Sequence, residues 1–176
     1  TKRTCHVRIR YFADIRFPLD RANGVQTMET CHALACRGHE VHLVVRPDSA
    51  EPPRDPWAYY GLAPISALTI ERVRVPASLA ARRAAYVAHS VWRSLGRSRA
   101  DVVLTRDLTI AGLLVRLPPA ARAPVVYESH GFAPAVGEDL PRMLSTAGGL
   151  SPAKRRRLEA RERLVWRRAG GYITIT

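Results

Sequence analysis

Three segments carry groups able to bind or act on a polar ligand: the loop from Asp14 to Gly24, with Asn23-Gly24 at its end, then Thr105-Arg106-Asp107, and Glu128-Ser129-His130-Gly131. His130 follows an apolar run and precedes a glycine, so its imidazole can hydrogen-bond a ligand hydroxyl or a backbone carbonyl. Its place at a strand's carboxyl end favours a ligand contact, and a structural role is the alternative. Arg106 can clamp an anion through its forked guanidinium, or lie in solvent beside an Asp107 that caps a helix. Gly24 opens an amphipathic stretch, so the N–H groups of Gly24, Val25 and Gln26 can face a phosphate with a helix dipole behind them. A plain N-terminal turn explains the same residues. His39 and His42 have weaker claims, the first in a helix–strand turn and the second in a strand.

Other chemistries find no support in the spacing. No G-x-G-x-x-G follows the first apolar run, which argues against a nicotinamide or flavin site. No nucleophile elbow, zinc ligand set or pair of catalytic carboxylates is present. No metal ligands are therefore expected.

The elements that must hold these residues follow from periodicity. Cys5 to Ala13 reads as a first strand, and Ala22 to Val45 as loop, helix and second strand. At 100° per residue, Val25, Met28, Cys31, Leu34, Ala35 and Cys36 share one face, Asn23 is a candidate N-cap, and Gly38 suits a left-handed helix end. Asp48 to Pro64 is proline-rich and reads as a long irregular excursion. A third strand is expected over Leu68–Val75 and a helix over Leu79–Leu95, with Trp92 on its apolar arc and Arg82, Arg83, Arg93 and His89 away from it. Strands are expected at 101–105, from Pro124 and over Tyr172–Thr176. Helices are expected over Leu108–Leu117 and Pro152–Arg168, with a Gly- and Pro-containing loop over Pro134–Gly149. Alternating strands and helices predict an α/β fold, a Rossmann-like doubly wound parallel sheet with strand order 3-2-1-4-5-6. In such sheets ligands bind beyond the carboxyl ends of the strands, where all three segments arrive.

The chain of 176 residues is sized for one domain. Its net charge of +13 is nearly all guanidinium, since Lys2 and Lys154 are the only lysines among 28 basic residues. That balance reflects either a GC-rich coding sequence or a surface facing anionic nucleotides, acidic lipids or nucleic acid. Cys5, Cys31 and Cys36 have no metal spacing and read as small core hydrophobes in a reducing compartment. Nothing approaches the roughly 18 apolar residues of a membrane span, and the start lacks a signal-peptide core. The expected location is the cytoplasm. A start at Thr1 in place of Met reads as a processed or trimmed chain.

The segment NGVQTMETCHALACRGHEV resembles the first helix of family 4 retaining glycosyltransferases, where a Gly-Gly turn opens the helix and R-G-H-E-V leads into the second strand. DVVLTRD, VVYESHGF and the closing GYITIT extend the likeness over nearly the whole chain. The resemblance implies that residues 1–176 form a single Rossmann-like acceptor-binding domain, the N-terminal half of a GT-B enzyme whose C-terminal nucleotide-sugar domain is absent from this chain. It implies transfer of a sugar from a nucleotide-diphosphate donor to an acceptor, with retention, no cofactor beyond that co-substrate, and no divalent metal. By the same resemblance Asn23 and Gly24 border the donor phosphates, Gln26 faces the acceptor, and His130 lies at the reacting centre. Asn23 stands where the family has the first glycine of the turn. Arg106 is assigned to the acceptor with Gln26.

Two function classes stay open at this point: half of a glycosyltransferase, acting on a sugar, lipid-linked or small-molecule acceptor, and a non-catalytic basic module gripping nucleic acid or another polyanion. Exposed aromatics interleaved with basic residues would mark the second. The arginines on the two basic helices also leave peripheral docking on an anionic inner membrane face as an expectation beside a soluble cytoplasmic protein.

Overall fold

The computed structural model describes residues 6–95, 100–143 and 150–174. Strands β1 (Arg8–Arg16), β2 (Glu40–Arg46), β3 (Leu68–Arg72), β4 (Val102–Thr105), β5 (Val125–Ser129) and β6 (Gly171–Thr174) form one sheet in the order β3-β2-β1-β4-β5-β6. Every pairing is parallel. The helices are α1 (Ala22–Cys36), α2 (Pro56–Tyr60), α3 (Leu79–Arg93), α4 (Leu108–Leu114), α5 (Ala133–Met143) and α6 (Pro152–Arg168). This is the Rossmann-like doubly wound sheet and strand order expected from the alternation.

Strand parity builds the two apolar layers, because successive side chains point to opposite faces. Ile9, Tyr11 and Ala13 of β1 join Val41, Leu43 and Val45 of β2 and pack with Met28, Cys31 and Ala35 of α1. Phe12 and Val44 turn the other way, onto Tyr86 of α3, Ile110 and Leu114 of α4 and Val165 of α6. The register of β1 against β2 runs regularly from Arg8 to Phe12 and then shifts before Arg16. That irregularity falls at the carboxyl edge, where a ligand site is expected.

Several local expectations are corrected. α1 starts at Ala22 with Arg21 in the N-cap position, so Asn23 lies inside the first turn and is not the cap. Its buried residues are Gly24, Thr27, Met28, Cys31 and Ala35, while Val25 and Cys36 are exposed. The helix is rotated because Leu19 covers Gly24, and the Thr27 hydroxyl turns inward to donate to the Asn23 carbonyl at 2.7 Å. Cys31 is a core residue and Cys36 is not. Cys5 lies outside the described residues.

On α3 the sheet is met by Tyr86, Ser90 and Ser94, one turn apart, while Trp92 is 66% exposed. The two serines fit there because each hydroxyl donates to the carbonyl four residues back, Ser90 to Tyr86 at 2.8 Å and Ser94 to Ser90 at 2.7 Å. Tyr86 donates to the Val44 carbonyl at 2.6 Å, which fixes the helix on β2.

The proline-rich excursion contains α2, started by Asp55, whose carboxylate accepts from Ala58 N–H at 2.8 Å, and ended by left-handed Gly61. α5 occupies part of the stretch expected as a loop. Pro134 stands in its first turn, where the missing N–H costs little. Gly137 lies against Leu150, close enough that a Cβ would come within 2.7 Å.

Candidate functional site

A cavity of about 270 Å³ opens at the carboxyl edge of the sheet, lined by Phe12, Ala13, Asp14, Ile15, Asn23, Thr27, Arg106, Asp107 and His130. Its position follows from winding: the chain leaves β1 toward α1 on one face and leaves β4 toward α4 on the other, so the two connections diverge. The shift in β1 after Phe12 places Ala13, Asp14 and Ile15 along the cavity wall. Thr105 ties the floor together, donating to the Phe12 carbonyl at 2.9 Å and accepting from Asp107 N–H at 3.1 Å.

Of the residues expected at the site, Asn23, Arg106 and His130 line this one cavity. Gln26 stands beside it and donates to Glu128 Oε1 at 3.2 Å. Gly24 lies beneath the wall: a Cβ there would meet the Leu19 carbonyl oxygen at 2.3 Å and the Tyr60 hydroxyl at 2.9 Å. The N–H groups of Gly24 and Val25 both point to the Arg21 carbonyl, at 2.8 and 3.2 Å. Those two donors serve the chain itself, and the glycine makes room for Leu19. Asn23 and Thr27 are the α1 residues on the cavity wall; the Thr27 hydroxyl is committed to the Asn23 carbonyl, and Asn23 Oδ1 is buried with no hydrogen-bond partner.

Glu128 is the centre of the first charged cluster. It shares a face of β5 with Val126, which packs in the α1 layer, and this parity turns it toward Tyr11 and Gln26. Its buried carboxylate accepts from His130 Nε2 at 2.7 Å and from the Tyr11 hydroxyl at 3.3 Å. Burial and the Glu128 charge push the Tyr11 phenol far up, so it stays protonated and keeps an O–H to donate to Glu128. Arg106 Nη2 donates to His130 Nδ1 at 2.9 Å, Nη1 reaches the Asn23 carbonyl at 3.5 Å, and Nε stands 3.8 Å from Glu128 Oε1. The Arg106 side chain is only 18% exposed, so it is not a solvated cation.

The second cluster comes from the other helical layer. Arg83 of α3 bridges Asp14 and Asp107, the latter at 2.6 Å, and Arg46 Nε holds Asp14 at 2.7 Å. Asp107 also caps α4, its Oδ1 accepting from Thr109 and Ile110 N–H at 2.8 and 3.0 Å. Gly131 follows His130 with φ of +121°, a conformation that lets the chain turn away directly after the imidazole.

Sequence reasoning missed the roles of Asp14, Arg83, Thr27 and Tyr11. For Glu128 a signal existed, since it stands two residues before His130 on the same strand face. Among the described residues no group of three or more His, Cys, Asp or Glu side chains is arranged to hold a metal ion. No described helix is long and apolar enough to cross a membrane.

Fold and cleft together define a Rossmann-like domain with a polar ligand pocket at its topological switch point. The chain belongs to the glycosyl transferase 4-like domain family, whose model matches residues 23–176. No curated protein matches it.

Proposed function

We propose that this domain is the acceptor-binding half of a GT-B glycosyltransferase, moving a sugar from a nucleotide-diphosphate donor to an acceptor with retention. The observation that carries the reading is the convergence of Asn23, Arg106 and His130 on one carboxyl-edge cavity in a chain of this family. In the proposal His130 faces the reacting centre, Gln26 and Arg106 orient the acceptor, and the Asn23–Gly24 turn borders the donor phosphates, with Asn23 facing the ligand and Gly24 supporting it from below. A second α/β domain holds the nucleotide and completes the site. The co-substrate is the nucleotide sugar, with no resident cofactor or metal.

Two measurements test this. Calorimetry on residues 1–176 with common nucleotide sugars should show weak binding at best, and tight binding of an intact donor would overturn the division of labour. In the complete gene product, His130→Ala should lower turnover by about 10²-fold or more, the scale of a lost acid–base or oriented contact, with little loss of stability. Equal loss of both would leave His130 a structural residue.

The proposed location is the cytoplasm, with peripheral docking on the inner face of its membrane. Docking there would use the arginines of α6, where Arg163, Arg167 and Arg168 lie near a Trp166 that is 65% exposed. Exposed Trp92, with the Arg93 guanidinium 5.9 Å from its ring centroid, is the observation favouring the second reading, a polyanion-binding module. Co-sedimentation with anionic liposomes and with single-stranded oligonucleotide, each at low and high salt, separates the two surfaces.

A further inference from the structure

In the arrangement observed, His130 has no nitrogen left for a ligand. A carboxylate only accepts and a guanidinium only donates, so the short contacts fix the ring. Nε2–H donates to Glu128 at 2.7 Å, and the Nδ1 lone pair is taken by Arg106 Nη2 at 2.9 Å. The imidazole that lines the cavity is therefore blocked by its neighbour across the cleft.

Arg106 is held weakly for a guanidinium so little exposed. Its short hydrogen bond goes to a neutral ring nitrogen, its 3.5 Å contact goes to a neutral carbonyl, and the nearest carboxylate oxygen, at 3.8 Å, already accepts from His130 and Gln26. The carboxylates that line the cavity, Asp14 and Asp107, are covered by Arg83 and Arg46. Charge-assisted hydrogen bonds to an anion are roughly twice as strong as those to a neutral acceptor. An anion entering the cavity thus offers Arg106 a better partner than His130 does.

We infer that Arg106 is a positioning residue that exchanges partners: a phosphate-class anion draws its guanidinium off His130 Nδ1 and so exposes that nitrogen as an acceptor for a substrate hydroxyl. Glu128 keeps the proton on Nε2 throughout, so the ring stays in the tautomer whose free nitrogen faces the cleft. No bond is made or broken in the exchange. The inference rests on the glycosyltransferase reading for its purpose, which is to make the imidazole available only after an anionic donor has arrived, and it moves Arg106 from the acceptor to the donor's phosphates.

The test is imidazole nitrogen NMR on the complete ¹⁵N-labelled gene product, with inorganic pyrophosphate as the probe and the His130 signals assigned by their loss in His130→Asn. Without pyrophosphate, Nδ1 should resonate as a hydrogen-bonded acceptor and Nε2 as protonated. Pyrophosphate should move Nδ1 toward the free-acceptor position and leave Nε2 protonated. In Arg106→Ala, or in Arg106→Met, which keeps the apolar stem, Nδ1 should start at the free position and no longer respond. An Nδ1 signal unmoved by pyrophosphate up to its solubility limit overturns the exchange, as does an equal response in either folded variant. Transfer activity with an unmoved Nδ1 would refute this inference alone. A moved Nδ1 in a protein without transfer activity would refute the enzyme reading and leave the exchange standing.

Discussion

Glu128 illustrates how one buried carboxylate organises a site without itself lining the cavity. Three donors from three elements meet it: Tyr11 of β1, Gln26 of α1 and His130 after β5. Removing the carboxylate leaves the buried Tyr11 hydroxyl unpaired, which costs about 1–3 kcal/mol, whereas Gln26 and His130 are exposed enough to turn to water. Glu128→Ala is therefore expected to destabilise the fold by about 2 kcal/mol, read as a thermal midpoint lowered by about 4–8 °C. Glu128→Gln, which retains an acceptor oxygen, should lose about half as much. An unchanged midpoint in the alanine variant would show that water replaces the carboxylate at no cost.

At the scale of elements, α1 depends on the absence of a side chain at its third residue. The Tyr60 hydroxyl accepts from Leu19 N–H at 2.8 Å and donates to the Leu19 carbonyl at 2.9 Å, pinning the β1–α1 loop over Gly24. Gly24→Ala would gain up to about 1 kcal/mol of helix propensity, yet it drives a methyl into a backbone oxygen, and overpacking costs about 1–3 kcal/mol. Net destabilisation in urea unfolding is the expected result, and a stabilised variant would remove this account of the glycine.

The same helix shows what the sequence could and could not disclose. Strand alternation and the positions of Asn23, Arg106 and His130 after apolar runs were legible, because both follow from local chain direction. The reason for Gly24 was not, since a glycine looks alike whether it admits a phosphate or Leu19. Asp14 and Arg83 meet across 69 positions of sequence, and no local pattern records that contact. Trp92 was misplaced because alanines and valines suggested an apolar arc, whereas Tyr86 and two self-satisfied serines face the sheet. α5 was hidden by its own proline and glycine, which suit a helix start and a tight helix contact as well as they suit a loop.

For the whole molecule, acid should act in stages. His42 lies half-buried on the α3 face of β2, and burial lowers its affinity for a proton despite Glu71 Oε2 at 2.8 Å. A lowered folded-state pKa contributes stability that is complete above the unfolded value near 6.5 and is lost as pH falls below it. Glu71 is also held low: burial pushes it up, but Arg93, His42 and His89 outweigh that, so its contribution fades below about 4.5. Asp101, hydrogen-bonded by Arg8 and lowered to about 2, loses its contribution between 3.8 and about 2. Urea midpoints measured from about pH 8 to about pH 3 should decline gently below 6.5 and steeply below 4.5. His42→Gln should flatten the upper limb and also soften the lower one, because His42 is one of the groups that hold Glu71 low; an unaltered upper limb would assign it to another group.

The diverging exits of β1 and β4 also bear on how such a domain can change over generations. Because the crevice between them is produced by the direction in which the chain winds, no side chain is needed to keep it open. The layers that stabilise the fold, around Met28 on one face and Ile110 on the other, lie below it. Residues at the mouth can therefore vary in size and polarity with little penalty in folding, while the slot persists. Selection can retune what the domain recognises at Arg106 or His130 and leave the scaffold untouched, so ligand preference is free to drift faster than architecture.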